Sequence, residues 1–370
     1  MAHYSSYIVI KVPINRNTNN KFHMVIVRKE GIILRKTELE FESEAVLNPA
    51  VIRDGDSVHL FYRAVQKGNR SSLGYCRLDG PLTLAERWDK PFMIPEFDYE
   101  SQGVEDPRIV KIGKLFYMTY TGYDGTNARG ALATSGDLLH FEKQGVIVPP
   151  ISYAEFVFLV ESAGKVNENY YHNHKFYYQE ADPERKIMLW DKNVIFFPRK
   201  IKGNLVFLHR IRPGIQLVSV SDLKELTKEF WTQYFLNLQD HIVLDPVHQH
   251  ESSYIGSGCP PIETENGWLL IYHGVEETEK GLVYSACAAL LDLDNPLKEI
   301  ARLPYPLFSP EDDWELNGAV NNVVFPTGTS RFGDTLFIYY GAADTLIACA
   351  SVKVSELLTE LMTYIVQDEK

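Results

Sequence analysis

The chain has 370 residues, 45% of them hydrophobic, 23% charged and 12% aromatic, with a formal net charge of −12. That composition supports a large core and excludes a disordered chain, and with no Lys/Arg run long enough to track phosphates it argues against a nucleic-acid partner, so an anionic substrate would need a local basic pocket. No stretch approaches the roughly 20 apolar residues of a membrane span, and Cys76, Cys259, Cys287 and Cys349 lack metal-type spacing and read as buried thiols.

The N-terminal segment, about 1–40, carries two β-rich runs, SYIVIKV and FHMVIVRKEGIIL, split by the turn NRNTNN. It reads as an extension or as strand material that completes the last sheet. The start lacks a basic n-region followed by an apolar core and a cleavage site, so a cytoplasmic location is the default; a periplasmic one follows if a leader has been removed.

A unit then recurs five times: a Pro, a polar turn with Gly, and an alternating strand ending in polar or aromatic residues. The copies are Pro49 to Tyr62, Pro107 to Tyr120, Pro198 to Arg210, Pro261 to His273 and Pro326 to Tyr340, with turn glycines Gly55, Gly113, Gly203, Gly267 and Gly333. The prolines step by 58, 91, 63 and 65 residues. Such a spacing is too long for a solenoid and suits one four-stranded blade plus connections. The expected fold is all-β, a single five-bladed β-propeller over 1–370 with a short C-terminal helix.

Between the second and third copies the excess residues, about 154–189, form an insertion expected to overhang the site. One helix is predicted, VSELLTELMTYIV, with Leu357, Leu358, Leu361 and Ile365 on one stripe. It carries no chemistry.

In a propeller, blade-equivalent polar residues converge on the axis. Asn48 and Asp106 precede the first two prolines; Arg63, Tyr120, His209 with Arg210, His273, and Tyr339 with Tyr340 and Asp344 lie at the far ends. Core packing accounts for the tyrosines but handles Arg63, Asp106, His209, Arg210 and His273 poorly, because buried charges need partners. Asp106 stands in GVEDPRI, where Pro107 fixes the backbone beside it. Cleavage of a glycoside with inversion requires an acid and a nucleophile on the opposite face, either an activated water or inorganic phosphate in a basic cradle.

The segments VEDPRIVKIGKLFYMTYTGYDG, KNVIFFPRKIKGNLVFLHR, GSGCPPIETENGWLLIYHGV and NNVVFPTG…LFIYYGAADT resemble the successive signatures of glycoside hydrolase family 130, the β-mannoside phosphorylases and β-1,2-mannosidases. The resemblance covers about residues 44–350 and implies a five-bladed propeller. It implies that Asp106 is the general acid, acting directly or through a sugar hydroxyl, and that Asn48, Arg63 and Asp344 hold the mannosyl unit. It also places a phosphate cradle at Lys192, Arg210, Tyr254 and His273. Tyr254 departs from the pattern, which has Lys before the Ile-Gly pair, and Lys192 stands where Arg is expected. Hydrolases of the family use carboxylates to activate water, for which Glu251, Glu180 and Glu276 are the candidates. Retained Arg210 and His273 argue for phosphorolysis; Tyr254 and the insertion argue for hydrolysis.

The balance favours an inverting β-mannosidase acting on β-1,2-linked manno-oligosaccharides. β-Mannoside phosphorolysis is the alternative, and a non-catalytic carbohydrate-binding propeller is a third reading. Tyr120 and Tyr123 are candidates for stacking on sugar, whereas Trp268 reads as packing between blades. The pairs His172–His174 and His248–His250 have no third ligand at telling spacing, so no metal or organic cofactor is expected beyond phosphate as co-substrate. The expected partner is an oligosaccharide, with homo-oligomerisation left open.

Overall fold

A computed structural model describes residues 25–164, 166–171 and 187–366. The chain is nearly all β. Ala45–Asp54, Ser57–Gln66, Arg70–Asp79 and Thr83–Arg87 form one antiparallel meander, and Gly103–Ile112, Leu115–Tyr123, Ala128–Ser135 and Glu142–Val146 form a second. A parallel pairing at Ser71 and Gly103 joins the two into one hydrogen-bonded sheet. A third sheet holds Lys192–Phe196, Leu205–Arg210, Ile215–Val220 and Ile242–Leu244. The fourth is built on the long hairpin Gly267–Thr278 and Gly281–Leu291. The fifth comprises Val324–Phe332, Thr335–Ala342 and Leu346–Lys353, and the N-terminal strand Arg28–Leu34 pairs with its last member. In every repeat copy the Pro-to-aromatic stretch includes the turn of a β-hairpin, and all five turn glycines carry positive φ.

The repeats differ at one informative place. In the first three meanders the inner strand slips register, between Leu47 and Ala50, Glu105 and Arg108, and Lys192 and Ile195. Each slip is a bulge with an Asn or Asp in the left-handed region: Asn48 (φ 50°), Asp106 (φ 48°) and Asn193 (φ 57°). Short polar side chains tolerate this conformation, and a bulge re-aims the side chain out of the pleat. The third bulge lies before Val194, so Pro198 is not the counterpart of Pro49 and Pro107.

Four of the five meanders share a buried glutamate in a helical turn ahead of the inner strand. Glu42, Glu100, Glu251 and Glu315 are all 0% exposed. Each meets a cation from an outer strand, Arg87, Lys143, Arg302 and Lys29 respectively, and three accept from the tyrosine hydroxyls of Tyr62, Tyr272 and Tyr340. In the third meander Asp191 bonded to His209 takes that place (2.6 Å). These networks satisfy buried charge and pin the inner strand to its sheet.

Glu251 therefore corrects one expectation. Its Oε1 accepts from Tyr272 (2.5 Å), and Oε2 from the backbone N–H of Val247 (2.8 Å) and His248 (3.1 Å) and from Arg302 (3.4 Å). A carboxylate so paired and 0% exposed is shut away from any water it would have to activate. Glu251→Gln is expected to lower stability by about 2 kcal/mol, the worth of a hydrogen bond to a charged group, while the glycoside-cleaving rate expected of the folded protein stays within a few-fold of wild type. Denaturant melts alongside initial rates check this; a kcat collapse at unchanged stability would restore Glu251 as a base.

The structure adds helices to the one predicted. Tyr153–Ala163, inside the insertion, packs Phe156 edge-on against Phe235 of helix Lys228–Leu236 (5.2 Å between ring centroids). The first is capped by Ser152, whose hydroxyl accepts from the Glu155 N–H. The periodicity of both was obscured by aromatics on several faces. Tyr170, also in the insertion, donates to Asp245 (2.5 Å). Residues 172–186, with the candidate base Glu180 and the His172–His174 pair, lie outside the described residues. The C-terminal helix, Val354–Leu361, buries Leu357, Leu358 and Leu361 as expected but ends before Ile365, which instead forms an antiparallel bridge with Ala301. All four cysteines are buried free thiols, and no described helix is long and apolar enough to cross a membrane.

Candidate active site

The bulges at Asn48 and Asp106 bring two side chains together from adjacent meanders. Asn48 Nδ2 donates to Asp106 Oδ1 at 2.8 Å. Asn48 reaches this position because Gly341 leaves room: a Cβ at 341 would stand 2.0 Å from Asn48 Oδ1. Arg63, on the strand paired with that of Asn48, sends Nη2 to Glu105 (2.7 Å), Nη1 toward Asp106 (3.7 Å) and Nε to Ser71 Oγ (2.9 Å).

The carboxylates around Arg63 are unequal. Burial alone would raise the pKa of Asp106, but Arg63, then Lys192, the Asn48 bond and Arg108 outweigh it and hold the group below the ordinary carboxylate value. Asp344, in a left-handed turn (φ 51°), is pushed up to about 6, first by burial and then by the negative charge of Asp106. Two neighbouring carboxyls driven apart in this way mark a site that manages a proton.

Beyond Lys192 the lining turns positive. Lys192 pairs across its sheet with Arg210, and Gly256 pairs with His273. A Cβ at 256 would meet the His273 ring at 2.6 Å and Arg210 Cδ at 2.8 Å, so the absent side chain is what lets those two groups approach. Arg108 belongs to the same region: its Nε donates to Gly258 O (2.5 Å) and its Nη1 to Pro107 O (2.9 Å), while burial pulls its pKa down to about 10. Burial, then Arg210, Arg108 and Arg212, push His273 well below the ordinary imidazole value, so it is neutral at pH 7.

These groups are left unsatisfied together. Among the described residues, Arg108 Nη2, Arg210 Nε and both ring nitrogens of His273 are buried without a hydrogen-bond partner, and so is Asn193 Nδ2 of the third bulge. Buried polar atoms in folded proteins are nearly always bonded. A cluster of orphaned donors among mutually repelling cations fits an oxyanion, which would satisfy and neutralise them at once. Chemically, the arrangement can hold an anionic nucleophile beside a carboxyl able to protonate a leaving group.

Other expected site residues fall elsewhere. Tyr120 is 2% exposed, its hydroxyl 3.3 Å from that of Tyr99 and facing Glu100, so it belongs to the buried glutamate network of its meander and is not available to stack on sugar. His209 is likewise structural, bonded on both nitrogens, to Asp191 (2.6 Å) and the Tyr234 hydroxyl (2.7 Å). Tyr339 and Tyr340 are core residues. Tyr123 lies at an exposed strand end, donating to Gly125 O (3.0 Å), and Glu276 accepts from Gln249 (3.1 Å). Trp268 packs edge-on against Phe197 of the preceding sheet at 5.1 Å between ring centroids.

Tyr254 is buried, its hydroxyl 2.7 Å from that of Tyr284, with the guanidiniums of Arg210 and Arg212 at 5.2 and 3.9 Å from its ring centroid. Arg212, Arg108 as an anion-facing group, and Asn193 were missed from sequence. Arg212 could have been found from the Arg-x-Arg spacing at a strand end. Asn193 was hidden because no Pro follows its bulge.

For metals, His250, Glu251 and Cys287 offer ligand atoms within 4.8 Å of one another, but Glu251 already accepts four hydrogen bonds. His248 and His250 stack ring on ring (5.4 Å, 12°).

A family model described as beta-1,4-mannooligosaccharide phosphorylase, of glycoside hydrolase family 130, matches residues 19–363. The chain is 35% identical over 338 residues to a 1,2-beta-oligomannan phosphorylase of Thermoanaerobacter sp. (strain X514), covering 88% of this chain and 96% of the relative. It is also 35% identical over 348 residues to a beta-1,2-mannobiose phosphorylase of the same organism, covering 90% and 98%. Its structure superposes on a beta-1,2-mannobiose phosphorylase from Listeria innocua with a TM-score of 0.68 at 24% identity, covering 91% and 99% of the two chains.

Proposed function

The chain belongs to glycoside hydrolase family 130, and on that premise we propose that it is an inverting phosphorylase of β-1,2-linked manno-oligosaccharides. The observation that carries this reading is the set of buried, unpartnered nitrogens on Arg108, Arg210 and His273 next to Asp106. Phosphate answers that set; water does not neutralise it. The preference for hydrolysis drawn from Tyr254 and the insertion gives way, because the cationic lining is stronger than the four expected positions suggested and Glu251, one of the three candidate bases, is enclosed. The relatives' names point the same way.

In the proposed reaction Asn48, Arg63 and Asp344 hold the mannosyl unit, with Lys192, Arg210 and His273 around phosphate. A phosphate oxygen attacks C1 as the C1–O bond to the leaving sugar breaks. Asp106 gives its proton to the departing oxygen, directly or through a sugar hydroxyl, and the products are α-mannose 1-phosphate and the shortened oligosaccharide. Arg63 is the first of the cations that keep Asp106 ionised in the free protein, but Lys192 and Arg108 also act on it, and a phosphate dianion beside them would offset their charge and favour the protonated acid the reaction needs. The five four-stranded meanders are proposed to be the blades of one propeller with this site on its axis.

The test is product analysis of β-1,2-mannobiose with and without millimolar phosphate. Mannose 1-phosphate formed only with phosphate is the expected result. Free mannose alone, at a rate indifferent to phosphate, would overturn the assignment and return the chain to the hydrolases.

A further inference from the structure

We propose that Arg212 is a further guanidinium for the phosphate, and that Tyr254 is the plate on which it is seated. The inference rests on the phosphorylase reading above. Tyr254 carries no charge, yet it organises two: its ring has Arg212 at 3.9 Å and Arg210 at 5.2 Å from the centroid. The ring is itself fixed, edge-on to His273 (6.4 Å between centroids) and hydrogen-bonded to Tyr284. Cation–π attraction offsets part of the repulsion between two guanidiniums that share one neighbour.

The backbone around Arg212 is held on both sides. The Gln216 side chain, 0% exposed, accepts from the Ile211 N–H (2.6 Å) and donates to Ile211 O (3.0 Å). Pro213 O accepts from the N–H of Ile255, next to Tyr254 (2.9 Å). The segment is thus locked to the strand that bears Tyr254, and Arg212 leaves it beside Arg210 and His273. Burial is the main cause of the lowered proton affinity of both, and the positive charge of Arg212 adds to it. Two guanidiniums and a neutral imidazole gathered on rigid backbone, with the Arg210 Nε and the His273 nitrogens unpartnered among the described residues, form a pocket that a dianion suits. A planar fork also matches phosphate oxygens better than an ammonium does.

Arg212→Gln and Arg212→Lys test this. With β-1,2-mannobiose saturating and inorganic phosphate varied, Gln is expected to raise the phosphate KM about 10- to 100-fold, the worth of a charge-assisted hydrogen bond, and Lys by an intermediate factor. The mannobiose KM should stay within about twofold. Calorimetry with inorganic phosphate alone should show the same order of affinities. A wild-type phosphate KM in Arg212→Gln, or an equal rise in both KM values, overturns the role of Arg212 while leaving a phosphate-dependent wild type intact. A wild type indifferent to phosphate overturns the phosphorylase reading itself. Should the Gln variant fail to fold by circular dichroism, Arg212→Lys decides: an unchanged phosphate KM and phosphate affinity reject the inference, and a selective rise supports it.

Discussion

Asp106→Asn is expected to reduce kcat on β-1,2-mannobiose by about 10³-fold or more, within the range of general acid catalysis with loss of a substrate-positioning charge, while the protein still folds and binds the sugar. The substitution is close to isosteric, and the Asn48 bond can persist to the new carbonyl oxygen. Arg63 keeps its pairing with Glu105. What disappears is the carboxyl that delivers the proton in the proposed reaction. Initial rates with calorimetric binding of the disaccharide check it. Retained turnover would remove Asp106 from the chemistry and point to Asp344, whose pKa near 6 makes it the neighbouring proton carrier.

The second large effect is expected at Arg210. Arg210→Ala should raise the phosphate KM by at least about 100-fold, since it removes a buried charge-assisted donor and leaves the anion partly unpaired. The effect on stability should have the opposite sign from that of a core mutation. Burial and then Arg212 already push the Arg210 guanidinium toward its neutral form, and Arg108 in turn feels Arg210. Removing one member of a like-charged set relieves that repulsion, so thermal melting in phosphate-free buffer should be unchanged or improved. This trade between stability and function marks a residue kept for binding. Coupled loss of stability and of mannobiose affinity would instead mean that Arg210 holds the sheet together.

Much of the site was legible because a repeat superimposes its own positions. Asn48 and Asp106, each before a Pro in equivalent copies, do meet. Tyr120, expected at the sugar, shares the repeat position of Tyr62 and Tyr340, and in the structure all three face the buried glutamate of their own meander. The misreading had a physical cause, since equivalence tells where a backbone goes, not what surrounds its side chain. His209 and Glu251 failed for the same reason, their partners Tyr234 and Arg302 being 25 and 51 residues away.

The linear pattern by itself determined the β architecture, the hairpin turns at positive-φ glycines and the C-terminal helix, because period-two alternation, turn chemistry and an amphipathic stripe are local properties. Only the tertiary structure decided which charges are spent and which remain available. Glu42, Glu100, Glu251 and Glu315 are neutralised by cations from distant strands, whereas Arg108, Arg210 and His273 are buried with nitrogens still unpartnered among the described residues. Satisfaction of a buried polar group is a property of everything packed around it, and that neighbourhood is assembled from strands far apart in the chain.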